Sequence, residues 1–512
     1  MLRRQGFLLS LLALAPIALA GCPAPGTGST SGSPSPAASP AQTAAPAALP
    51  ALEKVATPQD TFFTLPYLQL GTGARGTLEL LWHVKEASAD GWAVELRTPG
   101  KPAWRKSGQP LASRRVAVGG VPAHTVVRAV LDGLEPGLNF DYRVLKGGKP
   151  VFTARALAPK TADGSDDGAF RFVAFGDCAE GTPGQKRVAH QTFLAKPDFV
   201  LVTGDIVYDR GRASEYRSRF FPIYNADTAE PKIGAPLLRS TLFVGISGNH
   251  DLTYANLGRW PDGLAYYYYW SQPLNGPALT PGGRFTPPVR GSEGAKAALA
   301  KASGEAYPRG ATFSFDYGNA HFTVLDSNYY MDWTNPELRA WLEKDLAGAQ
   351  NAAWRFVGLH VPPFHSSRKH QEEQWMRVLS DLFEKYRVDL VISGHVHNYQ
   401  RTFPMQFQAI RGLDGNFVGR GGRVAGEWAL DREFDGETRT RPNGVIYLVT
   451  GAGGGALYDR GQQKDEASHQ PFTAKYVADT HSFTVFDVKG RTLTVRQIDA
   501  TGKERDRFTV AK

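Results

Sequence analysis

The sequence of Val388–Pro404, VDLVISGHVHNYQRTFP, carries the pattern on which the fold prediction depends. Its first part, Val388–Ile392, is apolar and β-branched, which predicts a buried strand of a parallel sheet. Gly394 ends this strand, and His395 and His397 follow at its carboxyl end. Open α/β sheets bind their ligands at that edge. A lone histidine there is more often a satisfied surface or core residue, so the interpretation depends on the residues at the ends of the other strands.

Four further apolar segments also end in side chains that can bind a metal. They are Phe170–Phe175, followed by Gly176-Asp177; Phe199–Thr203, followed by Gly204-Asp205 and Tyr208; Leu242–Ile246, followed by Gly248-Asn249-His250-Asp251; and Arg355–Leu359, followed by His360. An aspartate after a glycine is commonly a helix N-cap, so each segment alone is a weak signal. Because parallel strands gather their carboxyl ends at one edge, the segments together predict side chains that converge.

The order of predicted elements separates two regions. Thr61–Ala158 has short alternating strands divided by turn residues, which predicts an all-β sandwich of immunoglobulin or fibronectin III type. A polar linker comes next, and from residue 169 to 512 apolar strands alternate with helical patterns at 185–195, 336–350 and 372–386. Such alternation predicts a largely parallel sheet covered by helices.

The motifs at the strand ends resemble those of a known family. They are Gly204-Asp205-x-x-Tyr208, Gly248-Asn249-His250, His360 and Gly394-His395-x-His397, and they resemble the calcineurin-like metallophosphoesterases, more narrowly the purple acid phosphatases. The resemblance implies an α/β metallophosphoesterase sandwich, with mixed, largely parallel sheets flanked by helices, behind the fibronectin III-like or immunoglobulin-like domain. Most members of the superfamily have Asp-x-His where this chain has Asp177-Cys178-Ala179, and Tyr208 replaces the missing histidine, as in the purple branch.

The resemblance also implies two metal ions about 3.5 Å apart, bridged by Asp205. It assigns Asp177, Asp205, Tyr208 and His397 to the first metal, and Asp205, Asn249, His360 and His395 to the second. A phenol whose pKa is about 10 must lose its proton to bind a metal, which calls for a hard trivalent ion, and we expect Fe(III). The neutral amide and the imidazoles of the second set suit a divalent ion, Fe(II), Zn(II) or Mn(II).

The family implies hydrolysis of a small phosphate ester, in which a hydroxide held by the two metals attacks the phosphorus in line. The leaving alkoxide then needs a proton donor. One candidate is His250, with Asp251 as its orienting partner. The other is His370, ten residues after His360, where plant-type members place a catalytic histidine; the alternative is that His370 is a solvated loop residue.

The charge of the chain limits the classes of partner. The 512 residues include 58 Lys and Arg against 49 Asp and Glu, a net charge of +9, and the basic residues are dispersed. This balance fits a small anionic substrate or an anionic surface. No basic stripe with interleaved aromatic residues is present, so we expect no nucleic-acid partner, and the sequence does not indicate the oligomeric state.

The amino-terminal residues predict export. Residues 1–21 have a charged start and an apolar run, and Leu19-Ala20-Gly21-Cys22 resembles a bacterial lipobox. This resemblance implies cleavage before Cys22, lipidation of its thiol and anchoring in the bacterial cell envelope, on its periplasmic or surface face. Residues 22–60 are rich in Pro, Ala and Ser and predict a disordered tether. Cys178 is then without an intramolecular disulfide partner, and we expect it to be a buried filler.

Three functions are compatible with these observations. The first is a phosphomonoesterase of the purple acid phosphatase type, anchored to a membrane by lipid. The second is a phosphodiesterase or alkaline phosphatase D-like hydrolase on the same metal core. The third is an inactive surface lipoprotein that uses the β-sandwich as a binding module. The intact set of predicted metal ligands disfavours the third.

Overall fold

A computed structural model describes residues 49–72, 77–161 and 168–512. The predicted signal peptide, Cys22 and most of the predicted tether lie outside the described residues. The described end of the tether is held in place: Thr153 and Arg155 donate hydrogen bonds of 2.9 Å each to the carbonyls of Glu53 and Pro50. Among the helices that the structure describes, none is both long and apolar enough to cross a membrane.

The first region is all-β, as predicted. Its strands are β1 (Thr64–Gln69), β2 (Leu78–Val84), β3 (Trp92–Arg97), β4 (Arg105–Lys106), β5 (Ala112–Val116), β6 (His124–Leu131), β7 (Asn139–Lys146) and β8 (Lys149–Leu157). They form two antiparallel sheets, with strand orders β1-β2-β6-β5 and β4-β3-β7-β8. Burial alternates along β3 because successive side chains point to opposite faces of a sheet. The fibronectin III topology itself stays a prediction.

The second region combines strands and helices. Its strands are β9 (Phe170–Phe175), β10 (Phe199–Val202), β11 (Asn225–Glu230), β12 (Gly234–Pro236), β13 (Leu242–Gly245), β14 (Phe313–Tyr317), β15 (Ala320–Leu325), β16 (Trp354–Leu359), β17 (Leu390–Ser393), β18 (Tyr399–Thr402), β19 (Met405–Ala409), β20 (Gly426–Leu430), β21 (Ile446–Thr450), β22 (Thr473–Val477), β23 (Ser482–Lys489), β24 (Thr492–Asp499) and β25 (Glu504–Ala511). Its α-helices are α1 (Pro183–Ala195), α2 (Ala213–Glu215), α3 (Phe221–Tyr224), α4 (Asn249–Leu252), α5 (Tyr266–Tyr269), α6 (Glu293–Ser303), α7 (Ala306–Arg309), α8 (Pro336–Gly348) and α9 (Ser380–Lys385). A π-helix (Tyr216–Phe220) and 3₁₀-helices (Trp375–Leu379, Arg460–Lys464 and Glu466–Ser468) complete the set.

Two mixed sheets organise this region, which confirms the predicted fold class. Their strand orders are β13-β10-β9-β23-β24-β25 and β14-β15-β16-β17-β21-β18-β22. In the first sheet β13, β10 and β9 run parallel, and in the second β15, β16, β17 and β21 do. The strands that precede the predicted ligands therefore belong to two sheets whose carboxyl ends contribute to one site.

Aromatic side chains pack the two sheets together. Phe172 of β9 stacks on Phe486 of the same sheet, with ring centroids 4.2 Å apart. Its edge contacts Phe322 and Phe356 of the opposite sheet at 5.3 and 5.5 Å. Such edge-to-face pairs stabilise the core beyond the area that they bury. This packing fixes the position of the strand ends of one sheet relative to the strand ends of the other.

The YYYYW segment, Tyr266–Trp270, joins the two regions. The segment is buried, and its four tyrosines form the short helix α5. The hydroxyl of Tyr269 lies 3.0 Å from Nε2 of His124, and its ring stacks on His83 at 4.6 Å. Both histidines belong to the β-sandwich and are fully buried. The sandwich is thus packed on the second region by buried aromatic contacts.

A half-buried ion-pair cluster on the second sheet predicts how stability depends on pH. His321 lies 2.7 Å from Asp316 and 3.1 Å from Asp345. Burial alone lowers the pKa of His321, but the hydrogen bonds to the two carboxylates outweigh burial and raise the pKa to about 9. Because the folded pKa exceeds the unfolded one, the stabilisation is complete below the unfolded pKa of about 6.5 and is lost as the pH rises through 9.

We therefore expect the cluster to contribute about 2–3 kcal/mol of unfolding free energy near pH 6, from the size of this shift. Replacing His321 by Gln should lower the thermal midpoint at pH 6 and leave it nearly unchanged at about pH 10. Calorimetry across this pH range measures the difference. An equal decrease at both pH values would contradict the ionised pair.

Candidate metal centre

The loops after the strands hold the predicted ligands in an unusual backbone conformation. Asp177, Asp205 and His395 have φ angles of 56°, 46° and 67°, in the left-handed region that non-glycine residues rarely adopt. Such positions persist where the surrounding structure determines them, and they cluster at functional sites. Gly204 is required for a different reason, since a Cβ atom there would lie 2.4 Å from the His360 ring.

The other three side chains of the first predicted set converge on the Tyr208 hydroxyl. This oxygen lies 2.9 Å from Nε2 of His397, 3.1 Å from Oδ1 of Asp177 and 3.3 Å from Oδ2 of Asp205. Nε2 of His397 is in turn 3.3 Å from Oδ1 of Asp177. The donor atoms thus meet at a single point, although they come from segments more than 200 residues apart.

The second predicted set meets on the other side of Asp205. Nε2 of His360 lies 3.3 Å from Oδ1 of Asp205 and 3.1 Å from Oδ1 of Asn249. Asp205, His360 and His395 each offer one donor atom, all within 4.8 Å of one another. Asp205 therefore faces the two sets with different oxygens, and its bridging role stays a prediction.

Backbone carbonyls orient two of the histidines. Nδ1 of His360 donates to the Thr203 carbonyl at 2.8 Å, and Nδ1 of His397 donates to the Ala456 carbonyl at 2.7 Å. Each bond orients the ring so that the opposite nitrogen, Nε2, faces the cluster. Histidines that bind metals commonly show this arrangement.

The charges of the cluster fit cations. Asp177 and Asp205 are buried, and among the described residues their ion-pair partners are histidines: His397 for the former, His360 and His250 for the latter. Burying two carboxylates without a strong cation nearby is costly. The donor set, of carboxylates, imidazoles, an amide and a phenol, is one that Fe and Zn accept.

The pKa values of these groups reflect the same balance. Burial raises the pKa of Asp205, but His360 beside it outweighs burial and lowers that pKa well below its usual range. Burial lowers the pKa of His360, and Asp205 raises it to about 10. Burial first, then Asp177 and Asp205, raise the pKa of Tyr208 far above 10. The phenol keeps its proton unless a cation takes the place of that proton, which couples metal binding to proton release.

The two candidate proton donors contact different residues of this cluster. Nδ1 of His250 is 2.8 Å from the Asp209 carbonyl, and its Nε2 is 3.9 Å from Oδ2 of Asp205. Nδ1 of His370 lies 2.8 Å from Oε1 of Glu373, and its ring is 4.1 Å from the ring of His395. Both histidines therefore stay candidates.

The predicted orienting role of Asp251 is wrong. This carboxylate is buried, and its Oδ2 accepts the N–H groups of Gly248 at 2.8 Å and Ile206 at 3.1 Å. Asp251 is the third residue of α4, where its side chain turns back to the N–H of Gly248 at the start of the helix, and the Asp209 carbonyl orients His250 instead. Asp251 thus ties the loop that carries Asp205 to the loop that carries Asn249.

Glu373 is a residue of the site that the sequence did not reveal. Its two oxygens lie 2.8 Å from Nδ1 of His370 and 2.8 Å from Nε2 of His395. Burial raises its pKa, but the hydrogen bonds from these histidines outweigh burial and hold the pKa below its usual range. One signal for this contact was present in the sequence, because Glu373 follows His370 by three residues. The same stretch, however, was predicted as a helix.

The GAGGG segment, Gly451–Gly455, and Cys178 also pack close to the cluster. A Cβ atom at Gly451 would lie 2.7 Å from Asp177, and one at Gly455 would lie 2.8 Å from His397, so the GAGGG segment lets the backbone approach the site. Cys178 is buried and its Sγ donates to the Ile206 carbonyl at 3.4 Å. Burial raises the pKa of this thiol, which fits the predicted structural role.

Known proteins provide the remaining comparison. Residues 170–399 match the model of the calcineurin-like phosphoesterase family. Purple acid phosphatase 23 of Arabidopsis thaliana is 27% identical over 295 residues, which cover 53% of this chain and 56% of that protein. Probable inactive purple acid phosphatase 27 of the same plant is 24% identical over 437 residues, which cover 74% of this chain and 64% of that protein. The chain thus spans less than two thirds of the length of either relative.

Solved structures show the same fold. A purple acid phosphatase from yellow lupin (Lupinus luteus) seeds matches with a TM-score of 0.59 and 18% identity. The match covers 87% of this chain and 74% of the lupin chain. A structure of PhoD has a TM-score of 0.53 at 14% identity, covering 90% and 92%. The chain therefore contains a calcineurin-like phosphoesterase domain at residues 170–399, and it is similar to purple acid phosphatases in sequence and in fold.

Proposed function

We propose that this protein hydrolyses phosphate monoesters with two metal ions, Fe(III) beside Tyr208 and a divalent Fe, Zn or Mn ion beside Asn249. The observation that carries the proposal is the convergence of six buried or half-buried donor side chains around Asp205. When bound, the metals supply a water-derived nucleophile and positive charge for the phosphoryl oxygens. The protein's own groups orient the ligands and provide the proton for the leaving alkoxide, through His370 or His250.

The colour of the purified protein tests the first metal. We expect an absorption band in the visible range, because a phenolate bound to Fe(III) transfers charge to the metal. Replacing Tyr208 by Phe should remove the band while the protein still folds, since the buried ring is retained. Replacing Tyr330 by Phe is the matched control, because its hydroxyl also bonds a buried aspartate, Asp326, at 2.6 Å. A colourless protein that contains no iron but hydrolyses monoesters would overturn the iron assignment.

A phosphodiesterase or alkaline phosphatase D-like activity is the second candidate, supported by the likeness to PhoD. Rates on an aryl monoester and the matching aryl diester across pH separate the two candidates. The third candidate is an inactive binding module. It is supported by the similarity to a relative named as a probable inactive phosphatase, number 27 of Arabidopsis thaliana. Purified protein with two metals and no turnover on either ester would favour that third function.

We further propose that the protein is exported and anchored in the cell envelope through a lipid on Cys22. The proposal rests on the sequence of residues 1–22 and on the Pro/Ala/Ser-rich segment after it. The mass of the mature amino-terminal peptide tests it, because cleavage before Cys22 and acylation give a defined increase.

A further inference from the structure

Two basic side chains near the cluster are fixed on aromatic rings rather than paired with acids. The first is Lys369, whose Nζ lies 3.5 Å from the centroid of Tyr458. Tyr458 stacks in turn on His397, with centroids 3.9 Å apart and planes 11° apart. Lys369 is exposed. An ammonium held over a ring is attracted by the negative face of that ring, which positions the charge without neutralising it.

The second is Arg210, on the side of His250. Its guanidinium carbon lies 4.1 Å from the centroid of Tyr254, and one of its nitrogens donates to the Asp209 carbonyl at 2.8 Å. Tyr254 contacts the ring of His250 at 5.3 Å. The arrangement repeats that of Lys369: a cation lies on a tyrosine, and the tyrosine lies on a histidine of the cluster.

In the described part of the chain, neither of these two positive charges is paired with a nearby carboxylate. Among the described residues, no carboxylate oxygen lies within ion-pair distance of Lys369 Nζ or of the Arg210 guanidinium. Asp459 accepts the backbone N–H of Lys369, and Asp209 contacts Arg210 through its carbonyl. Arg212, in contrast, is paired with Asp262 at 2.7 Å. Lys369 and Arg210 therefore add positive charge near His397 and His250, respectively.

From this arrangement we infer that the natural substrate carries a second anionic group besides the phosphate that is hydrolysed, and that Lys369 and Arg210 bind it. The inference rests on the proposed function, in which the metal ions meet the charge of the reacting phosphate. Lys369 and Arg210 then have no role in binding an ester with a neutral leaving group. Their charges do complement a bisphosphate or another polyanionic ester. Opposite charges at the mouth of a site also speed the encounter with such a substrate.

A matched pair of probes tests the inference: 3-hydroxypropyl phosphate and propane-1,3-diyl bisphosphate, which differ only in the second phosphate. Inorganic phosphate release gives kcat/KM for each. We expect the unaltered protein to favour the bisphosphate, and we expect Lys369→Met and Arg210→Met each to lower the ratio of bisphosphate to monophosphate kcat/KM about tenfold, the size of one charge-assisted contact at a partly exposed site. The loss should appear in KM, because the contact is made equally in the ground and transition states.

Lys369→Arg and Arg210→Lys keep the charge and should retain most of the preference. Arg284→Gln is the control for a cation on an aromatic ring elsewhere, since Arg284 lies 4.9 Å from the centroid of Phe285, and it should leave the ratio unchanged. Ratios within twofold of the unaltered protein's in both Met variants would overturn the inference while the proposed function stands. Absence of hydrolysis of both probes by the metal-loaded, unaltered protein would instead overturn the proposed function.

Discussion

The Asp205→Asn protein is expected to lose hydrolysis of phosphate esters by at least about 10³-fold, more than the usual cost of one transition-state hydrogen-bond donor. Asp205 is the residue that faces both predicted ligand sets, with Oδ2 3.3 Å from Tyr208 and Oδ1 3.3 Å from His360. An amide has no charge to share between two cations. The variant should therefore bind fewer than two metals per chain, which elemental analysis measures independently of activity.

Asparagine is preferable to alanine for this test because the fold can tolerate it. Oδ1 of Asp205 accepts the N–H of His250 at 2.8 Å, and an amide oxygen can accept that bond as well. Asp227→Asn is the matched control, since that carboxylate is 87% exposed and pairs with Arg239 at 3.2 Å. The thermal midpoint of the unaltered protein should fall on chelation, whereas that of Asp205→Asn should hardly change, because only a bound metal stabilises the folded state. Two tightly held metals in Asp205→Asn would contradict the bridging role.

The strand ends were predictable from sequence because they combine two strong local signals. A buried parallel strand is a short apolar run, and glycine followed by a polar residue marks where it stops. Five strands start and end within about two residues of the prediction. They are the strands that precede Asp177, Asp205, Asn249, His360 and His395. Parallel strands align their ends within each sheet, and the packing of the two sheets brings the two groups of ends together.

The residues that were missed depend on contacts between segments far apart in the chain. The pattern of 372–386 predicts a helix, but the first helical residue is Trp375, and the loop before it carries Glu373 to His395. Four consecutive tyrosines show no hydrophobic periodicity that distinguishes a strand from a helix. The conformation of α5 is determined by its burial against His83 and His124. Asp251 was misassigned because adjacency in sequence does not give the direction of a side chain on a helical turn.

His370→Asn should distinguish the two candidate proton donors through the leaving group. Loss of the proton donor should slow hydrolysis of an alkyl phosphate about 10²-fold or more, because an alkoxide is a poor leaving group without a proton. Hydrolysis of 4-nitrophenyl phosphate should slow by less than about tenfold, because nitrophenolate leaves without one. Steady-state rates on the two esters measure the difference.

The geometry favours His370 over His250 for this role. Glu373 holds Nδ1 of His370 at 2.8 Å, and among the described residues Nε2 has no hydrogen-bond partner, so it is free to meet the ester. His250 lies against Asp205, 3.9 Å away, and is backed by a neutral carbonyl. His250→Asn should therefore slow both esters by similar factors, and Glu373→Gln should reproduce part of the His370→Asn pattern. A leaving-group-dependent loss in His250→Asn alone would assign the proton to His250 and leave His370 an orienting residue.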